Sequence, residues 1–175
     1  MNGKLVAGGI VISALVFGAG LYYSQVYAYY DAIPTDAPAA TIRVTTFEGV
    51  QEDILAENFT GIDAETSPIK FRACFTTPLS LSMMTETFQP YEGAAPLVAQ
   101  KWFKCFDAAT IGADLEAGRA IAFLGAENTP YGIDRVVAIY PDGRGFAWNQ
   151  INRCGEAVYD GDPAPAGCPP APEGN

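Results

Sequence analysis

The sequence predicts an α+β protein: an N-terminal transmembrane helix, then one domain with two or three helices packed on an antiparallel sheet of about five strands. Three observations predict it. Leu5–Tyr23 is an uncharged run of 19 residues. Two β-rich runs flank Pro-Asp-Gly in IDRVVAIYPDGRGFAWNQI, residues 133–151, and such a turn makes a hairpin. Helix-starting signals at Thr77-Pro78, Pro96 and Asp107 lie among further strand-like segments, the mixture of an α+β layer architecture.

The helix comes first. Nineteen residues span about 28 Å at 1.5 Å per residue, close to the hydrocarbon thickness of a bilayer. A signal-peptide apolar region runs about 7–15 residues, so length favours a retained anchor. Tyr22, Tyr23, Tyr27, Tyr29 and Tyr30 gather at one end, where an amphipathic ring suits the membrane–water boundary. The competing reading is cleavage after Ala28, where Val26-Tyr27-Ala28 loosely fits the small-residue rule. Lys4 precedes the span, and Asp31 and Asp36 follow it. The positive-inside rule then places residues 1–4 in the cytoplasm and the rest outside. Gly9 with Ser13, and Ala14 with Gly18, put small residues four apart, a spacing that admits a neighbouring helix.

After the anchor and its tyrosine segment (residues 5–30), the Pro- and Ala-rich stretch 31–40 reads as a linker. TIRVTTF (41–47) alternates as a strand. EDILAENFTGID is ambiguous, with Ile54, Leu55 and Phe59 on a short helix or turn. SPIKFRACFTT (67–77) reads as a strand with Ile69, Phe71, Ala73 and Phe75 on one face. Thr77-Pro78 should open a short helix that buries Leu79, Met83 and Met84. APLVAQKWFKCF (95–106) places Val98, Trp102, Cys105 and Phe106 at helical spacing. Asp107 should cap a second helix that buries Ala108, Ile111 and Leu115 and stops at Gly118. AIAFLG (120–125) and the 133–151 hairpin complete the sheet, so the domain runs over 41–154. Residues 155–175 are poor in apolar residues and rich in proline; they read as a tail.

Cys74, Cys105, Cys154 and Cys168 all follow the span, with no CxxC and no histidine in the chain. Zinc sites want closely spaced cysteines or histidine, so two disulfides in an oxidising compartment explain the set. Four cysteines allow three pairings. Cys154 and Cys168 bracket a short Gly/Pro loop, and Cys105 lies in an expected helix able to pack over the strand of Cys74; the expected pairs are Cys74–Cys105 and Cys154–Cys168.

Nine basic and twenty acidic residues follow the span, a formal charge of −11. That argues against nucleic acid and against docking on anionic headgroups, which both want positive patches. The missing histidine excludes a Ser-His-Asp triad and a His-ligated haem within the chain. No phosphate-binding glycine loop occurs. No catalytic residue, metal ligand or cofactor is expected. Asp142 with Arg144 reads as a turn; Asn58, Asp63 and Glu65 lack EF-hand spacing. Trp102, Phe103 and Trp148 are core aromatics or an interface anchor. The run Asn149, Gln150, Asn152, Arg153 is a strand end or a pocket lining.

SPIKFRACF, WFKCFDA and YGIDRVVAIYPDGRGFAWNQINRCGEAVYDG resemble an uncharacterised alphaproteobacterial family of small single-pass inner-membrane proteins with a disulfide-containing periplasmic domain. The resemblance covers essentially the whole chain and implies a bacterial inner-membrane protein facing the periplasm; it carries no chemistry. The expected function is a non-catalytic accessory or assembly subunit of a larger inner-membrane complex, such as a respiratory one. Its acidic domain would be the interaction surface, with a basic periplasmic protein such as a c-type cytochrome as a further partner. The alternative is a membrane-anchored module that binds or senses a small ligand. The anchor reading makes a direct prediction. Intact-mass analysis of membrane-extracted protein retains residues 5–30, and a mature amino terminus at Tyr29 contradicts it.

Overall fold

The computed structural model describes residues 3–172. The chain divides into two compact units, Met1–Asp31 and Ala32–Asn175. The first is helix α1, Gly3–Tyr23, which continues through a π-helical turn, Ser24–Ala28. Together they form a 26-residue helix whose apolar window has a mean hydropathy of 2.1, long and apolar enough to cross a membrane. No residue of α1 is buried. The Ser13 hydroxyl donates to the Gly9 carbonyl at 2.9 Å, which satisfies it within the helix. The Tyr23 and Tyr27 rings stack at 5.9 Å.

The second unit is built on a six-stranded antiparallel sheet. Its strands are β1 (Asp31–Ile33), β4 (Glu57–Asp63), β5 (Arg72–Thr76), β8 (Arg144–Ile151), β7 (Ile133–Ile139) and β6 (Ile121–Ala126), in that spatial order. β2 (Arg43–Thr45) and β3 (Gln51–Asp53) form a separate ribbon. The hairpin at the centre closes as expected. Gly143 takes φ +85°, and the Tyr140 amide donates to the Arg144 carbonyl at 2.9 Å. Its register sets Val136 opposite Trp148, Ala138 opposite Phe146 and Val137 opposite Ala147.

Both faces of this sheet are covered. On one, Phe71, Ala73, Phe75, Phe123, Val137, Ile139 and Ala147 form the main core. The ribbon adds Ile42, Val44 and Ile54, and Met84 and Phe88 come from and just beyond helix α2, Leu81–Thr87. On the other face, Phe106 meets Phe146 and Trp148 edge-on at 6.0 and 6.2 Å, and Tyr140 meets Phe146 at 5.6 Å. Burial on both sides explains why β7 is apolar at consecutive positions. Four of the expected strands form this sheet; the expected strand 41–47 lies instead in the β2–β3 ribbon, and β4 and Asp31–Ile33, the latter expected in the linker, make the sheet six-stranded with β1 at an edge.

Four local expectations change. Residues 95–106 form no helix. Arg72 Nε donates to the Leu97 carbonyl at 2.7 Å, and Gln150 Oε1 accepts from the Ala95 amide at 2.8 Å. Arg72 thus takes a carbonyl that a helix would use itself, Gln150 anchors the start of the segment to the sheet, and Val98 is 83 % exposed. The ambiguous 52–63 stretch is strand, in β3 and β4. α2 starts three residues later than expected, with the Ser80 hydroxyl as its cap, accepting from the Met83 amide; Met83 is consequently exposed and Met84 buried. Helix α3 (Ala108–Glu116) does start at Asp107, whose carboxylate accepts from the Ala109 and Thr110 amides. Finally, the expected tail begins with helix α4, Arg153–Tyr159, because Asn152 caps it by accepting from the Cys154 and Gly155 amides.

The disulfides are Cys74–Cys105 and Cys154–Cys168, with Cα atoms 6.3 and 5.8 Å apart. The first ties the irregular cover to β5; the second ties α4 to the proline-rich segment. Loop closure over 31 residues predicts that the C74A/C105A double variant loses about 3–4 kcal/mol of unfolding free energy. Urea denaturation of the two proteins checks it.

Candidate functional site

Strand β7 opens with two charged neighbours that point to opposite faces, Asp134 and Arg135. Asp134 is the hub of a buried network. Its Oδ1 accepts from Asn152 Nδ2 at 2.6 Å and from the Asn128 amide at 2.9 Å. Its Oδ2 accepts from the Tyr91 hydroxyl at 2.9 Å. Asn128 Oδ1 in turn accepts from the Gly132 amide at 2.9 Å and from Asn152 Nδ2 at 3.1 Å. One carboxylate therefore joins the 127–132 loop, the run after α2, and the cap of α4. Gly155 of α4 lies so close to this loop that a Cβ there would stand 2.3 Å from the Gly132 carbonyl oxygen.

Above the network lies a cleft of about 370 Å³, lined by Gln89, Tyr91, Glu127, Asp134, Asn152 and Arg153 among others. Beside it, Gln150 accepts from Trp148 Nε1 at 3.0 Å and donates to the Gly93 carbonyl at 3.2 Å. Burial pushes the Tyr91 hydroxyl well above its ordinary value, and the Asp134 carboxylate that it faces pushes it further. At neutral pH Tyr91 is a fixed donor and cannot serve as a base. Asp134 spends three of its roughly four acceptor positions on immobile donors. The cleft thus has shape and polarity, but its central carboxylate is committed to holding three segments together. Among the described residues, no group of three or more Cys, Asp or Glu is placed to hold a metal.

The residues singled out in the sequence fall in several places. Asn152 and Arg153 line the cleft. Asn149 points to the other face and donates to the Pro68 carbonyl at 2.7 Å. Trp148 is fully buried and Phe103 is 6 % exposed; both pack in the core of the domain. Trp102 is half-buried and meets Phe103 edge-on at 6.3 Å. Gly9 and Gly18 have nothing within 4 Å of where a Cβ would sit, and Ala14 is exposed. Asp142 and Arg144 pair at 2.8 Å in the hairpin turn. Asn58 donates to Thr76 Oγ1, while Asp63 accepts from the Ala64 amide, so these two do not share a site. Tyr91 and Asn128 belong to the site although no sequence motif marks them. The only local signal was Asn128 itself, two residues before Pro130, a residue type tolerant of the positive φ (51°) that it adopts.

These features define a class: a disulfide-stapled α+β domain, with its polar cleft tied into the fold, on a chain that also carries an apolar helix of membrane-spanning length. Over residues 42–169 the chain matches the Family of unknown function (DUF6446), and it belongs to that family. The match contains all four cysteines and both hairpin strands. No curated protein and no solved structure is significantly similar to the chain.

Tyrosine ionisation tests the network. Burial and the Asp114 carboxylate also raise the Tyr140 hydroxyl, from 10.0 to about 12. Both hydroxyls keep their protons in the folded chain at a pH where unfolded tyrosine loses them. Their stabilisation is complete below about pH 10 and is lost as pH rises through the folded values. Tyr91→Phe should lower stability near neutral pH by about 1 kcal/mol and flatten the decline above pH 10. Denaturant midpoints measured from pH 7 to 11 check both effects.

Proposed function

We propose that the chain is a non-catalytic accessory or assembly subunit of a larger bacterial inner-membrane complex, such as a respiratory one, with its acidic domain on the periplasmic side. The observation that carries this reading is the helix. The helix is of membrane-spanning length and no residue of its apolar stretch is buried, and such a surface needs lipid or another protein's helix around it. The small residues Gly9, Ser13, Ala14 and Gly18 would let a partner helix approach closely. Two disulfides fit an oxidising compartment, and Lys4 before the span fits an outward-facing domain. A domain with more than twice as many acidic as basic residues would also concentrate a basic soluble partner, for example a c-type cytochrome, in a salt-dependent way.

A second reading has its own observation. The cleft over Asp134 has room for a small polar ligand, which suits an anchored binding or sensing module.

Gentle solubilisation, chemical crosslinking and native electrophoresis separate the two. The accessory reading expects co-migration with a larger membrane complex and crosslinks from the domain to its subunits. Migration only as a free monomer, with a ligand-dependent rise in melting temperature, transfers the assignment to the binding module.

A further inference from the structure

The second charged residue of β7 is treated very differently from Asp134. Arg135 leans over the Phe71 ring with its guanidinium carbon 3.4 Å from the ring centroid, a cation–π stack. Its Nε donates to Asn149 Oδ1 at 2.8 Å. Among the described residues, no carboxylate lies in ion-pair contact with it. Asp63 acts on it only at longer range, and burial raises the Asp63 carboxyl above its usual value.

Arg72, on the other face, shows how this fold satisfies a buried arginine when nothing else is wanted of it. Its guanidinium donates to the carbonyls of Leu97, Ile69 and Phe71 at 2.6–2.7 Å. Arg135 has only the Asn149 bond, and it lines a separate cleft of about 140 Å³ with Thr41, Arg43, Gln51, Gly125 and Thr129. Gly125 keeps that space: a Cβ there would come within 3.0 Å of Arg135 Cγ and of the Arg135 carbonyl oxygen, and 3.2 Å from the Arg43 carbonyl oxygen. Burial pulls the Arg135 guanidinium down to about 10, the mark of a cation stripped of water without a paired anion.

We propose that this cleft binds one small oxyanion, a phosphate or the carboxylate of a small acid, gripped by the Arg135 fork and by Arg43 at the rim. Two arginines line this cleft in a chain of formal charge −10. The volume equals about four or five waters at ~30 Å³ each, enough for one such group with a water beside it. A planar guanidinium held by Phe71 and Asn149 is pre-organised for a two-pronged oxyanion contact. Arg43 Nε is occupied by Asp53 at 2.8 Å, so Arg43 contributes through its remaining donors. The domain's negative field repels anions at a distance, so retention depends on contact and binding strengthens little as salt is lowered. The proposal holds for either reading of the chain's wider role.

The test uses the full chain in detergent micelles, with ¹⁵N-labelled arginine. Inorganic phosphate, acetate and chloride are titrated separately at constant ionic strength while the Arg135 Nε–H resonance is followed. A saturable shift with phosphate alone assigns a phosphate site, and one with acetate alone assigns a carboxylate site. Arg43→Gln, at an exposed position, keeps the fold and weakens binding about tenfold; Arg135→Lys, whose affinity is read by isothermal titration calorimetry because it lacks that resonance, does at least as much. No saturable shift with either oxyanion overturns the proposal. So does an equal response to chloride, or an affinity unchanged in both variants.

Discussion

The domain depends on one constraint: its central hairpin, β7–β8, is apolar on both faces and must be covered twice. Val137, Ile139 and Ala147 need one cover; Val136, Ala138, Phe146 and Trp148 need another. The first cover is ordinary secondary structure, the β2–β3 ribbon and α2. The second includes an irregular run that has few backbone hydrogen bonds of its own. It is held from the sheet by the Arg72 and Gln150 side chains and by the Cys74–Cys105 bridge. Without them, the aromatic face of the hairpin would lie open to water. A small domain with part of its cover unable to hold itself in place is where disulfides contribute most.

The same two-sided sheet sorts the charges. Consecutive strand residues face opposite ways, so Asp134 and Arg135 never pair, although they are neighbours and of opposite sign. Asp134 meets three fixed donors and becomes a rivet. Arg135 meets an aromatic ring, one amide and a cleft. One side of the strand is closed by fixed donors, and the other carries an arginine with one hydrogen bond, stacked on a ring beside a cleft. That asymmetry is the chemical character of this strand.

The apolar helix and the disulfides constrain location from independent directions. A helix of this length and hydropathy suits a bilayer, and paired cysteines suit an oxidising compartment. The family match begins at Ile42, beyond the helix, and ends just past Cys168. The stapled domain is therefore the shared unit, and both covers of its hairpin lie inside it.

Length and charge made the helix legible in the sequence, the Pro-Asp-Gly turn made the hairpin legible, and Asp107 made α3 legible, because each is a local signal with a local physical cause. The Cys154–Cys168 pair followed from its short loop; Cys74–Cys105 was expected from a helix packed over β5, and it forms although residues 95–106 are irregular. What only the tertiary structure decided were the segments whose backbone partners are far away in sequence. Residues 95–106 have helical spacing, yet Arg72 and Gln150, 25 and 55 residues distant from the groups they bind, draw that backbone into an irregular path. Tyr91, Asn128, Asp134 and Asn152 look unremarkable one at a time; they form a network because the sheet brings four separate segments to one corner. The Arg135 cleft was invisible for the same reason. An arginine's value as a ligand depends on what fails to pair with it, and only the folded chain determines that.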